Sequence, residues 1–99
     1  MIRHTVTFRL KHQPNSEAEY DFLSAGKRLS EIPGVKNFEC LRQTSPKNSF
    51  KFGFSMEFNS QADYQAYNNH PEHTAFVQNR WIPEVEDFLE LDYEQCETV

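Results

Sequence analysis

The segment FKFGFSMEF, residues 50–58, decides the fold of this 99-residue chain. Large apolar residues occupy every second position of it, and lysine, glycine, serine and glutamate occupy the positions between them. Successive side chains of a β-strand point to opposite faces of the sheet, so this alternation predicts a strand with one apolar face. Four of its five apolar residues are phenylalanine and the fifth is methionine, which predicts a core built on aromatic rings.

The N-terminal residues 2–10 repeat the same alternation and predict a second strand of this kind. Its polar positions would form the opposite face of the sheet. The apolar-face residues are Ile2, His4, Val6, Phe8 and Leu10, and those of the opposite face are Arg3, Thr5, Thr7 and Arg9.

A helix and a short strand are predicted between these two strands. Ser16 and Glu19 stand three residues apart, as in the capping box that begins a helix. Apolar residues recur at helical spacing as far as Ile32, where Pro33-Gly34 ends the run. Residues 35–43 predict another strand, although their alternation is the weakest in the chain.

A broken helix and a final strand are predicted after residue 58. Pro71 disfavours the α conformation at His70, yet a proline suits the first turn of a new helix. We therefore expect one helix to end near Asn69 and another to begin at about Pro71 and to run to Pro83. Alternation over residues 88–94 predicts the last strand, with Leu89, Leu91 and Tyr93 on one side.

The order β-α-β-β-α-β is that of a ferredoxin-like α+β subunit with an antiparallel sheet. We expect one domain over residues 1–99, with the helices on one face of the sheet. The other face is too polar for a core but suited to meeting the sheet of a second copy. Its residues are Arg3, Thr5, Arg9, Lys51 and Glu57. A small core with few aliphatic residues also favours a homodimer.

Charge and hydropathy exclude two classes of partner. The net charge is −5 and no basic cluster is present, so we expect no nucleic acid partner. No apolar run approaches the roughly 18 residues that would span a membrane. The N-terminus lacks a signal-peptide pattern, so we expect no membrane association and a cytoplasmic location.

One short segment, Tyr67 to His73, carries groups suited to proton transfer. Histidine titrates near neutrality, and a tyrosine hydroxyl donates or accepts hydrogen bonds. The predicted bend at Pro71 could bring Tyr67 and His73 into one cavity, whereas an unbroken helix would point them to separate faces. Structural roles for these side chains stay open: a buried tyrosine often only fills the core, and His70 is expected to cap the helix.

The chain resembles the stress-responsive A/B barrel family over residues 2–94. The Tyr-x-x-His-Pro-x-His string, together with the early histidine, is the most specific part of the resemblance. The matching segments are Ile2-Arg3-His4, Ile32-Pro33-Gly34-Val35, Glu57-Phe58, Tyr67, His70-Pro71-Glu72-His73 and Asp92-Tyr93. The resemblance implies a ferredoxin-like subunit and a homodimer whose two sheets close into an α+β barrel.

The resemblance also implies roles for particular residues, through a plant polyketide cyclase of that family. His73 matches the general base of that enzyme, Tyr67 its partner tyrosine, and His4 a first-strand histidine. Phe52 stands where the cyclase has another histidine, which leaves the identity of the substrate open.

These residues lead to two hypotheses about function. In the first, the chain is a cofactor-independent lyase, isomerase or cyclase in which His73 removes a proton next to the carbonyl of a small, partly apolar compound. Tyr67 would then hydrogen-bond the enolate oxygen, and His4 would orient one of the two. The pocket walls expected for it are Val6, Phe8, Phe22, Phe52, Phe54 and Phe76. The second hypothesis is a non-catalytic dimeric domain, or a domain that binds a small molecule without converting it.

A metal site is not expected from the sequence. His70 and His73 are three residues apart, with Glu72 between them and His4 elsewhere in the chain. No second carboxylate or cysteine falls at a ligand spacing, and Pro71 turns the two rings apart. The first hypothesis therefore relies on side chains alone, without a metal or another cofactor.

Overall fold

Residues 1–97 are described by a computed structural model, so residues 98–99 of the expected domain lie outside the described residues. The helices and strands follow the predicted order. They are β1 (Ile2–Leu10), α1 (Glu17–Lys27), β2 (Lys36–Arg42), β3 (Phe52–Phe58), α2 (Gln61–Asn69), α3 (Pro71–Phe76), α4 (Ile82–Glu84) and β4 (Val85–Tyr93). A 3-10 turn, Arg28–Glu31, follows α1, and a π-helical segment, Val77–Trp81, joins α3 to α4.

The four strands form one antiparallel sheet in the order β2-β3-β1-β4. β1 therefore lies in the interior of the sheet, between β3 and β4. Its register places His4 opposite Met56 on one side and opposite Asp92 on the other. This arrangement confirms the ferredoxin-like α+β fold, and it brings residues from both ends of the chain beside the first strand.

The core lies between the sheet and the helices and is aromatic, as the composition predicts. The phenylalanines at positions 8, 22, 54 and 58 are almost fully buried. Phe8 lies 5.8 Å from Phe22 and 4.8 Å from Phe54 between ring centroids, within the range of favourable aromatic pairs. A few large rings thus supply most of the buried apolar area.

The opposite face of the sheet is less polar than the sequence suggests. Arg3, Thr5 and Arg9 lie there as predicted, and Arg3 pairs with Glu57 at 2.7 Å. The register of β4 adds an exposed apolar row to this face, because Leu89 stands opposite Thr7. The row, which we call the β4 row, consists of Leu89, Leu91 and Tyr93.

Several predicted boundaries shift by a few residues. β4 begins at Val85 rather than at residue 88, because Asp87 pairs with Arg9 of β1 as part of the ladder. β3 begins at Phe52 rather than at residue 50, so Lys51 lies just before it. The expected first helix ends at Lys27 and continues to Glu31 only as a 3-10 turn. In the described residues, no helix has both the length and the apolar character that a membrane crossing requires.

The close contact between α1 and the sheet yields a prediction about stability. Gly26 is buried in α1, and a Cβ atom at this position would overlap the ring of Phe54. Alanine normally stabilises a helix by about 1 kcal/mol relative to glycine. Here we expect Gly26→Ala to lower the free energy of unfolding by about 1–3 kcal/mol, since overpacking outweighs that gain. Urea denaturation measures the difference.

Gly53→Ala is the matched control for this variant. A Cβ atom at Gly53 would lie 3.5 Å from the carbonyl oxygen of Val6, an ordinary contact distance. We expect this variant to unfold close to the wild-type midpoint. If Gly26→Ala proved as stable as Gly53→Ala, the packing of α1 on Phe54 would differ from this description.

Candidate functional site

A cavity of about 360 Å³ lies between the helix-facing side of the sheet and the helices that follow β3. This volume is at the lower end of the range for small-molecule sites. The sheet contributes His4, Val6, Phe54, Met56, Phe88 and Glu90 to its wall. The helical side contributes Leu29, Tyr67, Asn68, His73, Phe76, Val77, Trp81 and Ile82.

Only half of the expected apolar walls line this cavity. Val6, Phe54 and Phe76 do, whereas Phe8, Phe22 and Phe52 belong to the buried core. Phe8 and Phe52 lie outside the cavity because they are paired at the end of β1 and β3 away from His4, and Phe22 is buried in α1. The guanidinium of Arg42 lies 5.3 Å from the centre of the Phe52 ring. Phe52 therefore does not fill the space beside the histidines.

The break at Pro71 brings Tyr67 and His73 together, as predicted from the sequence. α2 ends at Asn69, His70 is extended, and Pro71 begins α3. His70 caps α3, since its Nδ1 accepts a hydrogen bond from the backbone N–H of Glu72 at 3.1 Å. The rings of Tyr67 and His73 are 4.5 Å apart between centroids.

His73 is held in one orientation by the backbone of the preceding helix. Its Nδ1 donates to the carbonyl oxygen of Asn68 at 3.2 Å, so Nε2 carries no proton when the ring is neutral. Burial lowers the pKa of His73, and this outweighs the opposing hydrogen bond to Asn68. The imidazole is therefore more easily kept neutral here than in an exposed histidine.

Tyr67 presents its hydroxyl to the cavity. The side chain is 2% exposed and packs on Phe58 at 5.2 Å. Its hydroxyl has no hydrogen-bond partner among residues 1–97, where no fully buried side-chain oxygen or nitrogen lacks a partner. The hydroxyl must therefore be accessible from the cavity. Burial raises the pKa of Tyr67, and the charge of Glu90 raises it further, so the phenol keeps its proton.

His4 also lines the cavity, and two neighbours hold its ring. Its Nδ1 lies 2.6 Å from Oδ1 of Asp92 and 2.8 Å from the hydroxyl of Tyr64. The Tyr64 hydroxyl in turn donates to Oδ2 of Asp92 at 2.8 Å. Within residues 1–97, no hydrogen bond joins His4 to His73 or Tyr67. The rings of His4 and Tyr67 are 6.3 Å apart between centroids, so the expectation that His4 orients one of those two rests on ring packing and stays a prediction.

Sequence reasoning did not assign roles to Tyr64, Glu90 and Asp92. The β1–β4 register brings Asp92 beside His4, and it places Glu90 opposite Val6 on the same face. The sequence signal was the alternation of the last strand, which put these two carboxylates on one side. The sequence does not show which face of β4 meets the helices, so it could not assign these two carboxylates to the site. Among the described residues, no three His, Cys, Asp or Glu side chains are grouped as metal ligands would be.

The arrangement is suited to proton transfer without further groups. A neutral imidazole nitrogen accepts a proton, and a phenol stabilises negative charge on a nearby oxygen by donating a hydrogen bond. Both open into one largely apolar cavity. The fold and the site define a ferredoxin-like α+β protein with a paired histidine and tyrosine in a small cavity.

The chain belongs to the stress-responsive A/B barrel domain family, whose model matches residues 2–95. A crystal structure of a family member with a ferredoxin-like fold from Mesorhizobium loti is 59% identical to it. That structure has a TM-score of 0.94, and 96% of each chain is covered. A search of curated proteins returned no match.

Two more distant structures share the fold. The hydroxynitrile lyase from Passiflora edulis is 23% identical, with a TM-score of 0.85, and the alignment covers 99% of this chain and 95% of that one. A dimeric protein of unknown function from Bacteroides fragilis is 22% identical, with a TM-score of 0.72 and 95% of each chain covered. At these identities the likeness concerns the fold alone.

The lowered pKa of His73 predicts a dependence of stability on pH. Below the ordinary value of 6.5, the unfolded chain binds a proton at this position more readily than the folded chain. The contribution of His73 to stability is therefore complete above that pH and decreases as the pH falls toward the lowered native pKa. NMR titration of the ring measures the native value, and urea unfolding across the same pH range measures the stability.

His73→Gln is the control for this pH dependence, because glutamine does not titrate. We expect the variant to lose less stability than the wild type between neutral and mildly acidic pH. A native midpoint for His73 at or above 6.5 would contradict the description of its surroundings.

Proposed function

We propose that this protein is a cofactor-independent enzyme that removes a proton next to the carbonyl group of a small, partly apolar compound. The reaction would be a lyase, isomerase or cyclase step. One observation carries the proposal: a histidine nitrogen and a tyrosine hydroxyl, neither with a hydrogen-bond partner among residues 1–97, share one cavity. His73 is the proposed base and Tyr67 the proposed donor to the developing enolate.

The proposed reaction begins with His73 neutral and with Tyr67 protonated. Nε2 of neutral His73 takes the proton from the carbon, and the electron pair of that bond moves to the carbonyl oxygen. The Tyr67 hydroxyl donates a hydrogen bond to the oxygen and keeps its own proton. The imidazolium then returns its proton to another carbon, which gives an isomer, or to the alkoxide that forms when the enolate carbon adds to a second carbonyl group, which gives a cyclised product. The reverse of this addition, in which His73 first takes the hydroxyl proton and then protonates the enolate carbon, is the lyase reaction. Each route ends with His73 neutral.

The open cavity favours this proposal over a purely structural role. A structural domain would fill the space beside Tyr67 and His73 with side chains. Trp81 is large enough to do so, but it forms part of the wall and packs on Phe8 at 5.0 Å between ring centroids. A protein that binds a small molecule without converting it would show the same cavity, so measurements of catalysis must separate these two functions.

We also propose that two copies pair through the sheet face that is turned away from the helices. The β4 row is exposed on the single chain, and burying it would remove apolar area from water. The mixed polar residues of β1 and β3 on the same face would give the pairing its register. The Bacteroides fragilis structure with this fold is described as dimeric.

The proposed base and donor make a direct prediction about proton exchange. We expect the protein to catalyse exchange of carbon-bound protons for deuterium in members of a panel of small ketones and aldehydes. His73→Gln should lower the exchange rate by about 100-fold or more, because it removes the base. Tyr67→Phe should lower it by roughly 100-fold, because it removes one donor to the enolate oxygen. Proton NMR in heavy water follows the exchange.

His12→Gln is the control, because His12 pairs with Glu84 outside the cavity. This variant should exchange protons at the wild-type rate. Wild-type exchange rates in His73→Gln would contradict the assignment of the base. Binding of panel compounds with no exchange in any of them would favour the binding-only alternative.

The proposed dimer predicts a mass near twice 11.7 kDa in light scattering at micromolar concentration. We expect Leu91→Lys to shift the mass toward that of one chain, because it places a charge in the middle of the β4 row. Glu94→Gln, just beyond β4, serves as the control and should leave the mass unchanged. A wild-type mass of one chain would contradict pairing through this face.

A further inference from the structure

We propose that the cavity binds a small carbonyl compound that also carries a hydroxyl or amino group, and that it disfavours compounds with a carboxylate. This inference rests on the proposed function and narrows its class of substrate. It follows from the hydrogen-bonding character of the cavity wall, in which the free polar groups are mainly acceptors.

The first acceptor is Nε2 of His4. Asp92 offers only oxygen acceptors, and the Tyr64 hydroxyl donates to Oδ2 of Asp92, so Nδ1 of His4 must be the donor in this cluster. When the ring is neutral, its remaining nitrogen carries no proton. Tyr64 stacks on Phe58 at 5.0 Å with 14° between the rings, and this fixes the position of its hydroxyl.

The second acceptor is Nε2 of His73. The carbonyl oxygen of Asn68 takes the Nδ1 proton of this ring, so the two histidines of the cavity share one tautomer. A carboxylate accepts the Nδ1 proton of His4, and a backbone carbonyl accepts that of His73. Both rings therefore have an unprotonated Nε2 in the cavity wall.

The third acceptor is the carboxylate of Glu90, the one residue with a full charge in the cavity wall. Neighbouring carboxylates are engaged: Asp92 bonds His4 and Tyr64, and Glu84 bonds Arg80 and His12. Glu90 has no hydrogen bond or ion pair within residues 1–97, and no lysine or arginine lines the cavity. A ligand carboxylate would meet this negative charge without a cation to compensate it.

Tyr67 supplies a donor in the same cavity as these three acceptors, and the side chain of Asn68 supplies a group of either kind. A carbonyl oxygen fits the Tyr67 hydroxyl, and hydroxyl or amino protons on the same ligand fit the acceptors. The apolar remainder of the wall, including Phe54, Phe76 and Trp81, fits a hydrocarbon portion. The ligand class that satisfies all of these groups is a neutral or cationic hydroxy- or amino-carbonyl compound.

The fluorescence of Trp81 measures ligand binding, because Trp81 is the single tryptophan of the chain and it lines the cavity. Three probes of nearly equal shape differ in charge and donor capacity: benzylamine, benzyl alcohol and benzoate. The probes are added at a mildly alkaline pH, at which an ordinary histidine is neutral and benzylamine is still charged. We expect benzylamine and benzyl alcohol to bind the wild type more tightly than benzoate does.

Glu90→Gln tests the source of this selectivity. Glu90 is exposed, so solvent screens its charge, and we expect the ratio of benzylamine to benzoate affinity to fall by about two- to fivefold. Benzyl alcohol should bind nearly unchanged. Glu94→Gln, with the same loss of charge outside the cavity, should leave all three affinities unchanged.

The wild type alone gives a second test that needs no variant. Added salt should reduce the ratio of benzylamine to benzoate affinity, since an exposed charge is screened. Tighter binding of benzoate than of benzylamine, an unchanged ratio in Glu90→Gln, or no binding of any probe would each overturn the inference. Selective binding without any proton exchange would contradict the proposed catalysis but support the ligand class.

Discussion

The candidate site depends on the interruption of one helix at His70-Pro71. Proline has no backbone N–H and forces the residue before it out of the α conformation. In a continuous helix, the carbonyl of Asn68 would accept from the N–H of Glu72. Here Glu72 donates to the ring of His70 instead, and the freed Asn68 carbonyl accepts from Nδ1 of His73. One break thus caps the next helix, orients His73 and sets it against Tyr67.

The sheet fixes the second cavity histidine, His4, which is also held by hydrogen bonds to its Nδ1. Because β1 lies between β3 and β4, His4 stands beside Asp92, which comes 88 residues later in the chain. The carboxylate and the Tyr64 hydroxyl bind the same nitrogen that Asn68 binds in His73. The interior of the cavity therefore presents unprotonated nitrogens from both histidines, although one ring belongs to a strand and the other to a helix.

The sequence was sufficient for the architecture and for placing Tyr67 and His73 in one cavity, whereas the catalytic roles of the two stay a prediction. Alternation in β1 and β3, the proline break and the capping serine Ser16 are local signals, and the structure follows them closely. The residues that sequence reasoning missed depend on contacts between distant strands. The positions of Asp92 and Glu90 in the cavity wall follow only from the β1–β4 register. Alternation indicates the face of a side chain but not its position along the strand, so it could not show that Phe52 lies outside the cavity. The sequence placed Tyr64 in a helix but did not indicate its hydrogen-bond partners, His4 and Asp92.

The chemistry assigned to the cavity requires that both cavity histidines, when neutral, carry their proton on Nδ1 and present Nε2 to the cavity. Nitrogen-15 NMR of the ring nitrogens at mildly alkaline pH tests this most directly, because protonated and bare imidazole nitrogens have well-separated chemical shifts. We expect a protonated Nδ1 and a bare Nε2 for His4 and for His73. Finding the proton on Nε2 of either ring would contradict the hydrogen bonds to Asp92 or Asn68 and, with them, the chemistry assigned to the cavity.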